Sequence, residues 1–174
     1  SWLYIFEKFS LKNKDLEFLE IGSFEGRTSC FFLSNFKKIH LTCVDTFKPF
    51  HELQDNNDAK FKNVFENFKK NTLGFSERLT IEKEKSSVFF LKNKKEFDFI
   101  YIDGSHEYED VQNDAEAAFK IIKKNGIIIF DDFLWHVKQN MKSSITYAII
   151  EFLHKNKKNL KILHSNYQII VQKV

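Results

Sequence analysis

The sequence predicts an α/β fold in which helices cover both faces of a seven-stranded, mostly parallel sheet. Short apolar runs alternate with longer segments in which apolar residues recur every three or four positions, the pattern of strands that alternate with helices. Five apolar runs are candidate parallel strands, at residues 16–21, 39–45, 79–84, 97–103 and 127–131, and each ends in or near a polar residue. Because ligands bind outside the carboxyl ends of parallel strands, we expect Glu20, Asp45, Asp103 and Asp131 to converge on one edge of the sheet. Two later runs, at 160–164 and 167–171, flank the turn-prone pair Ser165-Asn166 and predict an antiparallel hairpin at the sheet edge.

The clearest helix is predicted over residues 107–124. Apolar residues recur there at helical spacing: Val111, Ala115, Ala118, Phe119 and Ile122. Acidic residues begin the segment and Lys120, Lys123 and Lys124 end it, as the helix dipole favours, and Gly126 follows as a stop signal. The same spacing predicts two more helices, one marked by Phe61, Val64, Phe65 and Phe68 and one by Ile145, Ala148, Ile149, Phe152 and Leu153.

Composition limits the class of protein. The 174 residues are 43% hydrophobic, which suits one globular domain over residues 1–174. The net charge of +3 is spread along the chain without a basic arm or stripe, so we expect no nucleic-acid partner.

No apolar run approaches the ~20 residues that span a bilayer, so we expect no membrane association and a cytoplasmic location. Cys30 and Cys43 lie in apolar stretches and predict reduced thiols. Ser1 begins inside an amphipathic pattern, which leaves open that native sequence precedes it.

The segment from Glu20 to Gly26 has the pattern of a ligand-binding turn between a strand and a helix. It combines an apolar strand end, an acidic residue and two glycines, Gly22 and Gly26, that enter a helical pattern. Glycine permits a tight turn and lets a ligand approach the backbone, because it has no side chain and tolerates positive φ. The second predicted strand ends in Asp45, whose carboxylate can accept hydrogen bonds from both hydroxyls of a ribose. The two features together predict an adenosine cofactor.

The type of cofactor follows from glycine spacing and charge. A nicotinamide or flavin site favours Gly-x-Gly-x-x-Gly, so that a pyrophosphate lies on the helix N-terminus. Here the spacing is Gly-x-x-x-Gly, and Glu20 and Glu25 would place negative charge near a pyrophosphate. A cationic amino-acid cofactor fits this turn better. The alternative is an ordinary turn between a strand and a helix, without a ligand.

Four segments, in order, resemble motifs of the class I S-adenosylmethionine-dependent methyltransferases, in particular a small bacterial-type subgroup without added domains. They are the cofactor motif at 19–29, the fourth-strand motif at 97–108, which ends in Asp-Gly-Ser-His-Glu-Tyr, the fifth-strand motif at 125–133 and the hairpin at 164–173. The resemblance covers nearly the whole chain. It implies a Rossmann-like fold, S-adenosylmethionine as the methyl donor and S-adenosylhomocysteine as its product.

The resemblance also implies roles for single residues. Glu20 would hold the amino group of the cofactor, Gly22 would pack against it, and Asp45 would bind its ribose. The other cofactor-binding residues implied in this way are Ser23, Phe24, Gly26, Ser86 and Asp103.

One position departs from the family pattern. After the third strand the family usually has Gly-Asp-Ser, whereas this chain has Glu84-Lys85-Ser86. Ser86 still matches a contact with the adenine, but a lysine replaces the carboxylate expected beside it.

His106 is the candidate general base, with Asp103 as its catalytic neighbour. A sulfonium methyl is already activated, so the enzyme must align the acceptor and, for a hydroxyl, remove a proton. His106 stands three residues after Asp103, immediately before the predicted helix. The helix dipole would favour the neutral imidazole by about 0.3 to 1 kcal/mol, whereas a carboxylate of Asp103 or Glu107 would oppose this. A polar helix cap is the alternative role for His106.

Asp103, Asp131 and Asp132 form a candidate magnesium site. Catechol O-methyltransferase-like members of the superfamily hold magnesium with carboxylates at the ends of these strands, and hard oxygen ligands suit that ion. Adjacent residues of a strand point to opposite faces, so only one of Asp131 and Asp132 would reach the site if the strand continued. A hydrogen-bonding turn is the alternative for this pair. Trp135 and His136, which follow, are candidates for the acceptor pocket.

These features predict a methyltransferase that acts on a small-molecule acceptor at a hydroxyl oxygen, through His106 or a metal ion. A cofactor-binding protein that keeps the fold without catalysis is the main alternative, because Lys85 departs from the family pattern. A nucleotide-dependent oxidoreductase is a more distant one. A homodimer is compatible with the sequence.

Overall fold

The computed structural model describes residues 2–9, 11–48, 63–135 and 144–174. Its strands are β1 (Leu16–Ile21), β2 (Ile39–Val44), β3 (Leu79–Glu82), β4 (Phe97–Ile102), β5 (Ile122–Phe130), β6 (Leu160–Ser165) and β7 (Ile169–Lys173). They form one seven-stranded sheet in the order β3-β2-β1-β4-β5-β7-β6. The first five strands are parallel, β7 is antiparallel to β5, and β6 is antiparallel to β7. The predicted class, the mostly parallel sheet and the terminal hairpin are confirmed.

The helices in the described ranges are α1 (Trp2–Lys8), α2 (Arg27–Asn35), α3 (Val64–Thr72), α4 (Ser86–Lys92), α5 (Tyr108–Ile121) and α6 (Ile145–Asn156). Short 3-10 helices span Leu11–Asn13 and Leu73–Arg78. None of these helices is long and apolar enough to cross a membrane. The two further helices predicted from phenylalanine and isoleucine spacing correspond to α3 and α6, although Phe61 lies outside the described residues.

Two apolar cores lie on opposite faces of the sheet, which confirms helices on both sides. Helices α1, α2 and α3 cover one core, and α4, α5 and α6 cover the other. In the central strands, Phe18 and Phe99 face the first core with their ring centroids 4.5 Å apart, while Leu19 and Ile100 face the second. Successive strand residues point to opposite faces, so a sheet covered on both sides needs nearly continuous apolar strands.

The boundary between α5 and β5 differs from the prediction. The helix ends at Ile121, so Lys123, Lys124 and Gly126 belong to β5, and Gly126 is not a helix stop. Ile122 is fully buried and pairs with Phe97 of β4. Local signals favoured a longer helix, but sheet pairing and burial of Ile122 stabilise the strand instead, and these are tertiary contacts that override helix propensity.

Four of the parallel strands end one or two residues earlier than predicted, so their polar terminal residues lie just beyond the sheet: Asp45, Glu84, Asp103 and Asp131. The backbone N–H of Asp103 still donates to the carbonyl of Ile21 at 2.8 Å, and that of Asp131 to Ile102 at 3.0 Å. Because the carboxyl ends of parallel strands meet at one edge, these residues surround a common opening.

We predict that Gly22→Ala destabilises the protein by about 2 kcal/mol or more. A Cβ at Gly22 would lie 2.0 Å from the carbonyl oxygen of Asp103, and the φ of +84° is unfavourable for alanine. Urea denaturation would measure the loss. Gly74→Ala is the matched control, because a Cβ there meets no atom within 4 Å, and its effect should stay within about 1 kcal/mol. Equal stability changes for the two variants would contradict the prediction.

Candidate active site

A cavity of about 1090 Å³ opens where the parallel strands end. Residues that follow each of the five parallel strands line it: Gly22, Asp45, Glu84, Asp103 and Asp131. Pockets for small molecules usually measure about 300–1,000 Å³, so the cavity has room for a nucleoside-sized ligand and part of a second molecule. Seven carboxylate side chains line it in the described part of the chain, against three basic ones, Arg27, Lys48 and Lys85. This excess of negative charge favours a cationic ligand.

Asp45 holds the turn that follows β1. Its Oδ2 accepts hydrogen bonds from the backbone N–H groups of Ser23 and Phe24, each at 2.8 Å. Its Oδ1 accepts from the N–H of Phe47 at 2.6 Å. Gly22, Ser23 and Phe24 all line the cavity, as does Asp45 itself. The structure therefore brings together these four residues, which were predicted to bind the cofactor.

Gly26 has a different role from the rest of the turn. It begins α2 with a φ of +84°, and it does not line the cavity. A Cβ at this position would lie 3.0 Å from the ring of Phe68 and 3.1 Å from Thr72 in α3. Gly26 therefore lets α3 pack closely against the start of α2.

Glu20 lies beneath the turn and not in the cavity lining. Its carboxylate is fully buried, and its Oε2 accepts hydrogen bonds from Ser29, from Ser23 at 3.1 Å and from the Cys43 thiol at 3.2 Å. Burial raises its pKa to about 7, because removal from water disfavours the charged form. The structure thus places Glu20 where it supports Ser23 and the first turn of α2 from behind.

The loop after β3 forms another side of the cavity. Glu84, Lys85 and Ser86 line it, and Glu84 is paired with Lys92 at 2.7 Å. The Ser86 side chain lies near Asp114, a cavity residue on α5 that is only 4% exposed, and interacts favourably with its carboxylate. Burial raises the pKa of Asp114 to about 6. The buried carboxylate near Ser86 therefore comes from a helix instead of from position 85.

Tyr101 links the carboxylates that follow β4 and β5. Its hydroxyl lies within hydrogen-bond distance of Oδ2 of Asp103, at 3.1 Å, and of Oδ2 of Asp131, so the two carboxylates share its single proton. Burial, followed by the charges of the two carboxylates, raises the pKa of Tyr101 well above its usual value, so it stays a donor. Burial, followed by the charges of Asp131 and Asp132, likewise raises the pKa of Asp103 to about 7.

His106 and Asp132 form a pair beside the cavity. The His106 Nε2 lies 3.1 Å from the Asp132 Oδ2, and this hydrogen bond lowers the pKa of Asp132. The imidazole stacks on Trp135 with ring centroids 5.4 Å apart. His136, the other residue predicted for the acceptor pocket, lies outside the described residues.

The end of β5 determines where both aspartates point. The strand stops at Phe130, and Asp132 adopts a left-handed conformation with φ of 52°. Only one of Asp131 and Asp132 was expected to reach the site if the strand continued through them, and the strand does not continue. Donor atoms of Asp103, His106 and Asp132 lie within 4.8 Å of one another, whereas Asp131 bonds to Tyr101 instead.

A comparison with protein-family models agrees with this geometry. The model of a methyltransferase domain matches residues 19–133, from the strand before the cofactor turn to the residue after Asp132. The chain belongs to this methyltransferase family. The predicted kinship with class I S-adenosylmethionine-dependent methyltransferases is thereby confirmed.

A viral protein is similar in sequence to the greater part of this chain. Uncharacterized protein R132 of Acanthamoeba polyphaga mimivirus is 27% identical over 132 residues, which cover 71% of this chain and 54% of the relative. The chain thus spans about half the length of that curated relative.

Solved structures of methyltransferases superpose over almost the whole chain. An O-methyltransferase from Bacillus cereus, in complex with S-adenosylhomocysteine, has a TM-score of 0.65 at 13% identity and covers 98% of this chain and 79% of its own. MycE of the mycinamycin pathway, in complex with Mg, S-adenosylhomocysteine and mycinamycin VI, has a TM-score of 0.69 at 16% identity and covers 98% and 48%. A Clostridium thermocellum protein named provisionally as an rRNA methylase has a TM-score of 0.71 at 11% identity and covers 100% and 97%.

Several residues of the site were assigned no site role from the sequence, although Asp114 fits the family pattern. Tyr101 precedes Asp103 by two residues and so shares its strand face, a signal that period-two spacing could have provided. Asp114 lies three residues after Val111 on the buried side of α5, where an acidic residue is unusual. Trp2 and Gln168 line the cavity and are joined by a hydrogen bond of 2.5 Å. They are 166 residues apart, so no local pattern could have paired them.

We predict that Glu20→Gln weakens the pH dependence of stability. Burial raises the pKa of Glu20 from its usual 4.5 to about 7 in the folded protein. Between these values the folded state keeps a proton that the unfolded state loses, so the free energy of unfolding falls as pH rises and levels off above pH 7. One such group contributes a slope of up to about 1.4 kcal/mol per pH unit.

Urea denaturation of wild type and Glu20→Gln at intervals from pH 5 to pH 8 would measure this difference. Asp103 and Asp114 have raised pKa values as well, but their slopes act in both proteins and cancel in the comparison. Glu77→Gln, at an exposed position, should retain the wild-type slope. Identical slopes for wild type and Glu20→Gln would show that Glu20 does not titrate in this range.

Proposed function

We propose that this protein is an S-adenosylmethionine-dependent O-methyltransferase that acts on a hydroxyl group of a small molecule. One observation carries the proposal: the turn held by Asp45 and the acidic group around Asp103 open onto the same cavity. A methyl donor bound at the first would lie next to proton-accepting side chains at the second. The Bacillus cereus and MycE structures, which contain S-adenosylhomocysteine, support this choice of cofactor.

The cavity fits the cofactor in shape and charge. Gly22 has no side chain to block the approach of a ligand. The Asp45 carboxylate is fixed just beyond the carboxyl end of β2, where ribose hydroxyls could donate hydrogen bonds to it. The acidic lining suits a sulfonium and an ammonium group and disfavours a pyrophosphate. Glu20 would contribute indirectly, by holding Ser23 through its buried carboxylate.

His106 would accept the proton of the acceptor hydroxyl. When bound, the cofactor supplies a methyl group on a positively charged sulfur, and an oxygen that has lost its proton attacks such a carbon readily. If His106 donates its Nε2–H to Asp132, its acceptor lone pair lies on Nδ1. Asp132 would then fix the ring orientation and stabilise the imidazolium that forms, while Trp135 supports the ring by stacking.

A divalent cation is a second way to activate the same hydroxyl. The donor set of Asp103, His106 and Asp132 fits such an ion, because two carboxylates and an imidazole converge within 4.8 Å of one another. A bound magnesium ion would lower the pKa of the acceptor hydroxyl. Tyr101 would keep Asp131 in a supporting position through its hydrogen bond. The presence of Mg in MycE favours this arrangement.

Charge argues for a small molecule over a nucleic acid as acceptor. The carboxylates that line the cavity would repel a phosphate backbone, and the chain carries a net charge of only +3. The fold likeness to a protein named as an rRNA methylase makes RNA the acceptor class to exclude by experiment. Binding without turnover is the other alternative, because Lys85 lines the cavity where family members carry a carboxylate.

We predict that isothermal titration detects binding of S-adenosylmethionine and S-adenosylhomocysteine. Asp45→Ala should weaken both by about 10- to 100-fold, because it removes the ribose acceptor and releases the turn. Asp15→Asn, at an exposed carboxylate far from the cavity lining, should bind as wild type does. Absence of heat with either ligand would exclude the proposed function.

We predict that His106→Asn lowers the methylation rate by about 10²- to 10⁴-fold, the usual contribution of a general base, while S-adenosylhomocysteine still binds. Formation of S-adenosylhomocysteine from a panel of sugars, polyols, catechols and an RNA transcript would measure the rate. Turnover on RNA alone would contradict the small-molecule proposal. Cofactor binding without turnover on any acceptor would support the non-catalytic alternative.

The same assay tests dependence of the activity on a divalent cation when a chelator is added. If an ion activates the hydroxyl, chelation should abolish activity, added Mg²⁺ should restore it, and Asp132→Asn should weaken that restoration. Full activity in chelator together with loss in His106→Asn would assign the chemistry to the histidine alone. Wild-type activity in both His106→Asn and Asp132→Asn would contradict both mechanisms.

A further inference from the structure

The side chain of Asp114 is an unusual feature of the cavity. It lies on α5, is 4% exposed and still lines the cavity beside Ser86. A buried carboxylate is costly unless a partner compensates for its lost hydration. Among the described residues Asp114 forms no ion pair with a lysine or arginine, and nearby Asp110 adds further negative charge. The hydroxyl of Ser86 offsets only part of this cost.

We propose that Asp114 recognises the adenine of the cofactor by accepting a hydrogen bond from its exocyclic N6 amino group. It would thus supply the carboxylate that is absent at position 85. This inference rests on the proposed function, since it concerns the same cofactor cavity. It assigns the choice of nucleobase to a residue of α5, outside the loop after β3.

The position of Asp114 matches the end of the cavity expected for the base. Asp45 follows β2, and the neighbouring loop after β3 leads into Ser86 at the start of α4. On the other side, a Cβ built on Gly104 would lie 3.9 Å from Oδ2 of Asp114, so this carboxylate borders a surface without side chains. A flat ring that extends from a ribose at Asp45 toward Ser86 would meet Asp114 at its edge.

Glu84 is less suited to this role, although it also lines the cavity. Its carboxylate is paired with Lys92 at 2.7 Å, and the same lysine holds Glu82 at 2.9 Å. The Glu84 carboxylate therefore already has a cationic partner. In the described part of the chain, the Ser86 side chain is the one polar group that stabilises the Asp114 carboxylate, and a carboxylate can accept several hydrogen bonds.

The chemistry of the base explains why a carboxylate would confer specificity. Adenine presents an N6 amino donor, whereas hypoxanthine and guanine present a carbonyl oxygen at the same position. A carboxylate accepts from the amino group and repels the carbonyl oxygen. Sites built to pair with a particular polar group reject analogues that leave the buried partner unpaired. At pH 7.5 the carboxyl is largely ionised, since burial raises its pKa only to about 6.

The decisive experiment compares two ligands on two proteins by isothermal titration at pH 7.5. The ligands are S-adenosylhomocysteine and S-inosylhomocysteine, in which a carbonyl replaces the amino group. Wild type should prefer the adenosyl ligand by about 10- to 100-fold. Asp114→Asn should lose this preference or reverse it, because its amide group can donate to the carbonyl oxygen. Glu116→Gln, on the same helix but outside the cavity lining, should keep the wild-type preference.

Several outcomes would overturn the inference. If Asp114 only orders Ser86 and α4, both ligands should weaken equally in Asp114→Asn and the preference should remain. A preference lost in Glu84→Gln and kept in Asp114→Asn would assign the role to Glu84. Should Asp114→Asn fail to fold, as judged by thermal unfolding, Asp114→Ser carries the same comparison. Binding of both ligands by wild type with equal affinity overturns the inference alone, whereas binding of neither overturns the proposed function with it.

Discussion

The carboxylate of Asp45 is the interaction on which the geometry of the site depends. It accepts the backbone N–H groups of Ser23, Phe24 and Phe47, and thereby joins the loops that follow β1 and β2. Phe24 and Phe47 have positive φ values of 45° and 53°, which bulky residues rarely adopt without compensation. Three charge-assisted hydrogen bonds to one carboxylate provide that compensation. The group proposed to bind the ribose is therefore also the group that builds the turn.

The same edge of the sheet concentrates carboxylates at a cost in stability. Burial and the charges of Asp131 and Asp132 raise the pKa of Asp103, and among the residues that the structure describes no lysine or arginine pairs with the buried Glu20 or Asp114. Tyr101 and His106 offset part of the repulsion by hydrogen bonding. Proteins commonly tolerate such local destabilisation where a ligand is to bind. A cationic methyl donor, with or without a metal ion, is the kind of ligand that would relieve it.

Much of this arrangement could be predicted from residue patterns alone. Apolar runs that each end in or near a polar residue predicted that Glu20, Asp45, Asp103 and Asp131 would converge on one edge, because parallel strands share a carboxyl end. Asp45, Asp103 and Asp131 do line the cavity, whereas Glu20 does not. The predicted end of α5 was wrong. The lysines and Gly126 resemble the end of a helix, but Ile122 is buried as the first residue of β5. Local propensity carries no information about which residue a neighbouring strand will pair with.

The sequence by itself determined the α/β class, the glycine turn with its acidic partner, and the family of the chain, since these depend on residue type and spacing over short distances. Only the tertiary structure decided which carboxylates face the cavity. Glu20 lies behind the turn because β1 directs it toward Ser29 and Cys43, and Asp114 reaches the cavity because α5 packs beside α4. His106 joins Asp132 because β5 stops at Phe130 and the chain turns left-handed. Each of these outcomes depends on contacts between segments far apart in the chain, which a local pattern does not encode.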